Sequence, residues 1–319
     1  MNETSRESRS AQTPVSEARP QQTKAGSPLK FHSFPELKEL QQTELEILGA
    51  FVDVCEAHKL RYHLDYGTLL GAIRHKGFIP WDDDIDVGMP REDYERFLEI
   101  GQAAIGDRFF LQTRQTDPNC PFAFLKIRKN QTTCLEWSKR RIRMHHGIWI
   151  DVFPYDKLPI SDAETKRRYM EDCVRLERKL VLATVPDRVQ QPSFSPKWFL
   201  GFVLRRLAHY RARQTSNLAH LDQEMAEAFT RYRDEAGEGL SYTSHFNAAP
   251  YEFPAEVLYG SSGDASTEVE FEGRLYRAPA DPDAYLRIFY GDYWQLPPEA
   301  KRVGHRPARI SFTTGYAPR

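Results

Sequence analysis

The stretch GTLLGAIRHKGFIPWDDDIDVGM, Gly67 to Met89, decides how this chain is read. Asp82, Asp83, Asp84 and Asp86 crowd together directly after Trp81, and carboxylates so close repel one another. From Asp84 onward Ile85, Val87 and Met89 alternate with Asp84 and Asp86, which predicts a strand with one apolar face and one acidic face near its start. On such a strand both aspartates point the same way, so their oxygens can reach one divalent cation or a pair. Asp82 and Asp83 lie nearer the turn, where water can hydrate them. A solvated acidic turn is the ordinary reading of a charge run, and the alternation with apolar residues argues against it here.

A third carboxylate stands at Asp151, inside Ile148 to Phe153, which reads as a buried strand. An ionised aspartate between Ile150 and Val152 needs a cation or hydrogen bonds to offset its burial, unless it merely caps a turn before Pro154. Mg²⁺ takes oxygen ligands and shares them with substrate phosphates, so Asp84, Asp86 and Asp151 are the candidate metal ligands and catalytic residues, with Mn²⁺ as the alternative ion. Upstream, Gly67 and Thr68 sit where a strand, Arg61 to Tyr66, gives way to a short apolar helix, Leu69 to Ile73. Free backbone N–H groups and the helix dipole at that point can cradle phosphate oxygens.

Working outward, Leu37, Leu40, Glu44, Ile47, Leu48 and Phe51 recur at helical spacing after a capping pair at Ser33 and Glu36, predicting a helix from about Phe34 to His58. A helix with Tyr94, Phe97, Leu98 and Ile105 follows Pro90, then extended segments at Phe109 to Gln112 and Phe122 to Arg128. Ser161 and Glu164 form a capping box for a further helix, and a second helical group spans about Lys197 to Tyr232. Short extended pieces fill Tyr251 to Tyr293, with a helix from about Asp283 to Phe289. Residues 1–30 are polar and read as a disordered tail; 31–160 read as the catalytic core, 161–240 as a helical insertion, and 241–319 as a segment completing the domain.

Composition narrows the function. A formal net charge of -1 gives no global field for nucleic acid. Cys55, Cys120, Cys134 and Cys173 show neither a CxxC pair nor a metal-ligand rhythm, as in a reduced protein. No apolar run is long enough to span a bilayer and no signal-peptide core opens the chain, so a cytoplasmic location is expected. Lys126 and Arg128, alternating on one strand, either donate to phosphate oxygens or face solvent, and the same choice applies to Arg74, Lys76, Arg302 and His305. Trp81 is the aromatic candidate for substrate contact; Tyr66, Trp149, Tyr155 and Trp294 are further aromatic faces for a cationic group. The basic run SKRRIRMHH, Ser138 to His146, is a solvated hairpin tip or an anion-docking element. KWFLGFVLRRLAHYRAR, Lys197 to Arg213, is a helix packed on the core or one lying on a membrane surface.

Three blocks carry a family resemblance: LDYGTLLGAIRHKGFIPWDDDIDVGM at Leu64 to Met89, GIWIDVFPYD at Gly147 to Asp156, and FYGDYWQLPPEAKRVGH at Phe289 to His305. With them the sequence resembles the LicD and fukutin-like family of the DNA polymerase beta-like nucleotidyltransferases. The resemblance implies an α/β fold with a mixed β-sheet flanked by helices, Gly67 and Thr68 at the donor phosphates, and Asp84, Asp86 and Asp151 on Mg²⁺. Members of that family decorate surface glycans, and the bacterial prototype moves phosphocholine from CDP-choline to a sugar hydroxyl. The implied function is therefore Mg²⁺-dependent transfer of a substituted phosphate from a CDP-alcohol donor to a lipopolysaccharide, capsule or other cell-surface glycan, or to its lipid-linked precursor, at or near the inner face of the membrane. Two readings compete: transfer of a nucleoside monophosphate from a nucleoside triphosphate, and a non-catalytic scaffold, against which the intact acidic set argues.

Overall fold

The acidic alternation does become a strand, but one that begins later than the sequence suggests. A computed structural model of the chain describes residues 33–186, 196–244, 251–304 and 307–316; the expected tail, 1–30, and His305 lie outside them. In chain order the elements are α1 (Leu37–His58), β1 (His63–Leu64), α2 (Tyr66–His75), β2 (Asp86–Pro90), α3 (Arg91–Ile105), β3 (Phe109–Gln112), β4 (Leu125–Lys129), β5 (Thr133–Leu135), β6 (Trp149–Leu158) and α4 (Ala163–Thr184). There follow α5 (Pro196–Thr215), α6 (Leu218–Phe229), β7 (Ser241–Thr243), β8 (Phe253–Pro254), α7 (Ala255–Tyr259), β9 (Thr267–Phe271), β10 (Arg274–Ala278), α8 (Pro282–Tyr290) and β11 (Arg309–Ser311).

The main sheet runs β1-β2-β6-β4-β3. Its β2–β6 pair is parallel and its other pairs are antiparallel, giving the mixed sheet of an α/β fold. β6 is long enough to serve two neighbourhoods: Trp149 to Tyr155 sits between β2 and β4, and Asp156 to Leu158 takes on β7. The middle strand is buried on both faces, which explains why Ile148 to Phe153 reads as one apolar run. α1 and α3 pack together over β6, with Phe51 against Phe97 at 5.1 Å between ring centres.

A second apolar cluster joins Leu158 and the α4 residues Tyr169, Cys173, Leu176 and Leu180 to Leu221, Met225 and Phe229 of α6. The cap of α4 is Asp162, which accepts from the N–H groups of Glu164 and Thr165, rather than Ser161; a carboxylate one residue closer to the helix outcompetes the hydroxyl. The C-terminal part folds back on the first half. The β9–β10 hairpin packs on α2 and β1, α8 packs on α2, and β11 pairs with β5.

Candidate active site

Sheet register gathers the key side chains. Asp86 of β2 pairs with Asp151 of β6, Asp151 pairs with Lys126 of β4, and Lys126 pairs with Gln112 of β3, so one row of side chains crosses four strands on one face. Lys126 Nζ donates to Asp151 Oδ1 inside this row. Asp84 precedes β2, so the expectation that it shares a regular strand with Asp86 needs correcting. The ladder is nonetheless prolonged backward, because the Asp151 N–H donates to the Ile85 carbonyl at 2.9 Å. That bond keeps the backbone extended through Ile85, and Asp84 and Asp86 open on the same cavity.

The cavity measures about 830 Å³. Tyr66, Gly67 and Arg74 of α2 form one wall, Trp81, Asp82, Asp84 and Asp86 the floor, and Phe289, Tyr290, Tyr293 and Arg302 the wall opposite. Arg74 ties the first wall to the last by donating to the Tyr293 carbonyl at 2.9 Å. Gly304 closes the acidic loop from behind: a Cβ there would lie 2.6 Å from the Trp81 carbonyl and 2.8 Å from Asp83 Oδ1. Only a glycine-sized residue permits that approach.

Burial lifts the Asp86 carboxyl well above the usual carboxylate range, and the charges of Asp84 and Asp151 push it further. The same causes raise Glu44 of α1, burial first and then Asp84, Asp83, Asp82 and Asp151. Glu44 is 2% exposed and its Oε2 has no hydrogen-bond partner among the described residues. A buried, mutually repelling carboxylate cluster of this kind is a place where positive charge is favoured.

The turn into α2 is held with unusual firmness. Tyr66 has φ of +37°, a left-handed conformation that costs a side chain of this size on the order of 1–3 kcal/mol. Its ring is fixed by Phe289 at 4.7 Å and Phe153 at 5.5 Å. Asp65 caps the helix by accepting from the Tyr66 N–H at 2.9 Å, and also accepts from the hydroxyls of Tyr155 and Tyr285. Gly67 lines the cavity so closely to Asp82 that a Cβ would stand 2.8 Å from Asp82 Oδ2. Thr68 is committed inward instead: its Oγ1 accepts from the Asp86 N–H at 2.8 Å, locking α2 to β2.

Among the other sequence candidates, Lys126 is enclosed, with Nζ 4.5 Å from the Phe122 ring centre and 4.6 Å from that of Trp149. Arg128 is 1% exposed and donates to the Gln112 side chain and the Gly147 carbonyl, inside the sheet and away from the cavity. Trp81 lines the cavity, with the Arg302 guanidinium 5.7 Å from its ring centre. Lys76 terminates α2 in a left-handed cap, Tyr155 is fully buried, and Trp294 is exposed beside Tyr293. Glu44 and Asp65 were missed as site residues. Glu44 showed one sign of its position, an acid placed within the apolar stripe of α1. Asp65 showed none beyond preceding the glycine turn.

Among the described residues, no three His, Cys, Asp or Glu side chains are grouped so as to hold a metal ion by themselves. Residues 59–179 match the family model for the LicD/FKTN/FKRP nucleotidyltransferase domain. Over 277 residues, 84% of this chain and 95% of the relative, the sequence is 29% identical to the lipopolysaccharide cholinephosphotransferase LicD of Haemophilus influenzae. It is 27% identical over 179 residues to the human ribitol 5-phosphate transferase FKRP, of which the match spans 30%. An uncharacterised Rickettsia typhi protein is 37% identical over 71 residues, 23% of its length. The glycine turn, the acidic loop and the Asp151 strand all fall inside the matched region, and residues 59–179 carry the LicD/fukutin-like nucleotidyltransferase domain.

Proposed function

We propose that this chain transfers a substituted phosphate, phosphocholine or a related group, from a CDP-alcohol to a sugar hydroxyl of a lipopolysaccharide-type glycan or its lipid-linked precursor, with Mg²⁺ as its ion. The observation that carries the reading is the opening of Gly67, Asp84 and Asp86 on one cavity, with Asp151 in register beside Asp86. The names of the Haemophilus and human relatives support transfer of a phosphate-bearing group.

The carboxylate set suits such an ion. Mg²⁺ is commonly held by one or two carboxylates together with substrate phosphates, not by an all-protein cage. Asp84 and Asp86 would hold it, with Asp151 alongside and one Asp151 oxygen already engaged by Lys126. When bound, the ion supplies neutralisation of charge on the phosphate oxygens. The rest of the work falls to the chain. The N–H groups of Gly67 and Thr68 at the start of α2 hold donor phosphate oxygens, Arg74 and Arg302 face the leaving nucleotide from the walls, and Trp81 offers a flat face to its base. Lys126 holds the Asp151 side chain oriented at the edge of the cluster. Catalysis on this plan is positioning plus electrostatics.

The test is a thermal-shift panel of CDP-choline, CDP-ribitol, CDP-glycerol, CTP, ATP and UTP, with and without Mg²⁺, on the native chain and on Asp86→Ala. A Mg²⁺-dependent rise in Tm with one CDP-alcohol, absent in the variant, names the donor. A rise with nucleoside triphosphates alone transfers the case to nucleotidyl transfer.

A further inference from the structure

α5 carries large apolar side chains on its outward face. Its inward face meets α4 through polar groups: Arg205 donates to the carbonyls of Val181 at 3.3 Å and Val185 at 3.2 Å, and His209 bonds the Leu182 carbonyl at 2.9 Å. Its outward face carries Phe199, Leu200, Leu204, Leu207 and Tyr210, each between 56% and 63% exposed. At 100° per residue these five fall within one arc of the helix. Single exposed leucines need no explanation, but a continuous outward arc of large apolar side chains does.

Charge identifies the partner. Between Pro196 and Thr215 there are five Lys or Arg residues and no Asp or Glu, in a chain whose net charge is -1. Arg206 and Arg213 flank one side of the apolar arc and Arg211 lies within it, all exposed. A second copy of the chain would bring this cationic surface against itself. An apolar stripe bordered by arginines matches instead the boundary between acyl chains and anionic headgroups, where the arginine stems lie along the apolar layer and their guanidinium groups reach phosphate. The end of α4 that α5 grips also borders a second basic and aromatic element. Val181 and Val185 line a cavity of about 420 Å³ with Ser138, Lys139 and Glu177, and the neighbouring Trp137 is exposed with Arg140 5.6 Å over its ring.

We infer that the outward face of α5 is a docking surface for an anionic phospholipid bilayer. The helix lies in the interface plane and spans nothing; no described helix is long and apolar enough to cross a membrane. Docking would hold the cavity beside a surface that carries lipid-linked acceptors, so the inference extends the proposed function without depending on which donor is used.

Co-sedimentation of the full chain with vesicles tests it, using phosphatidylcholine alone and phosphatidylcholine mixed with phosphatidylglycerol. The expected result is binding to the anionic vesicles that weakens as salt rises. Leu204→Glu with Leu207→Glu should reduce binding at least about tenfold, and Arg206→Glu with Arg211→Glu at least about twenty-five-fold, from roughly fivefold per lost arginine. Circular dichroism and Tm should not change, because these side chains are exposed. Asp86→Ala should bind vesicles as the native chain does, which separates this inference from the reading of the active site. Failure of the native chain to bind anionic vesicles overturns the proposal. So does a dimer, seen by light scattering, that Leu204→Glu with Leu207→Glu dissociates without any vesicle binding.

Discussion

Asp65 offers a pH experiment whose size follows from the structure. Its side chain is fully buried, and burial pushes its carboxyl up to about 7 from the ordinary 3.8, against the opposing hydrogen bonds from Tyr285, Tyr155 and the Tyr66 N–H. A carboxylic acid with a higher value folded than unfolded favours the fold while protonated. That contribution is whole below the unfolded value, fades as pH rises between them, and is gone above about 7. The gap corresponds to about 4 kcal/mol. Asp65→Asn keeps an acceptor oxygen for a tyrosine hydroxyl but cannot ionise. The stability of the variant relative to the native chain should therefore climb by about 4 kcal/mol between the unfolded and folded values. Urea unfolding followed by circular dichroism, run at several pH values across that window, measures the difference. Other buried groups with shifted values, His63 and Glu177 among them, are common to both proteins and cancel. Stability curves for the two proteins that stay parallel across the window would refute the reasoning.

Three further outcomes follow from the site. Asp86→Ala should lower kcat for group transfer by about a thousandfold, the several kcal/mol that a held cation contributes, while raising stability at neutral pH because it removes a buried repelled carboxylate; activity and urea unfolding measured together check both signs. Gly67→Ala sets a methyl 2.8 Å from Asp82 Oδ2 at the mouth of the helix, so KM for the nucleotide donor should rise about tenfold or more at nearly constant fold stability, an effect read by steady-state kinetics. Gly88→Ala instead drives a methyl to 2.4 Å from His63 Nε2 and 2.7 Å from the Tyr155 ring, and Tm should fall with a loss of about 1–3 kcal/mol.

Much of the fold was legible because local patterns and tertiary contacts agree. β3 falls where Phe109 to Gln112 was read, and α1 ends at His58 as its periodicity indicated. The buried strand around Asp151 and the helices after Pro90 and Ser161 were equally plain. The turn at Tyr66 was read as strand because Tyr62, Leu64 and Tyr66 alternate, yet the chain leaves that register at Asp65, whose carboxylate caps α2. Nothing local announces that change; the tyrosines that hold Asp65 come from β6 and α8. Lys126 was read as either a phosphate donor or a solvent-facing charge; it is buried, and its pairing with Asp151 depends on strand register, which a period of two leaves open. Arg128 alternates with Lys126 as read, and β4 nevertheless carries it into the Gln112 and Gly147 contacts of the interior.

The bond from Tyr285 to Asp65 closes a loop of 220 residues, and the wall formed by Phe289 to Arg302 arrives later still in the chain. Contacts of such sequence separation carry a large closure entropy and form late in folding. During synthesis the helix turn, the acidic loop and the Asp151 strand all emerge before the residues that finish their cavity. A nascent chain therefore holds its acidic loop without the surrounding walls, and the cavity is complete only after Phe289 to Arg302 have emerged from the ribosome.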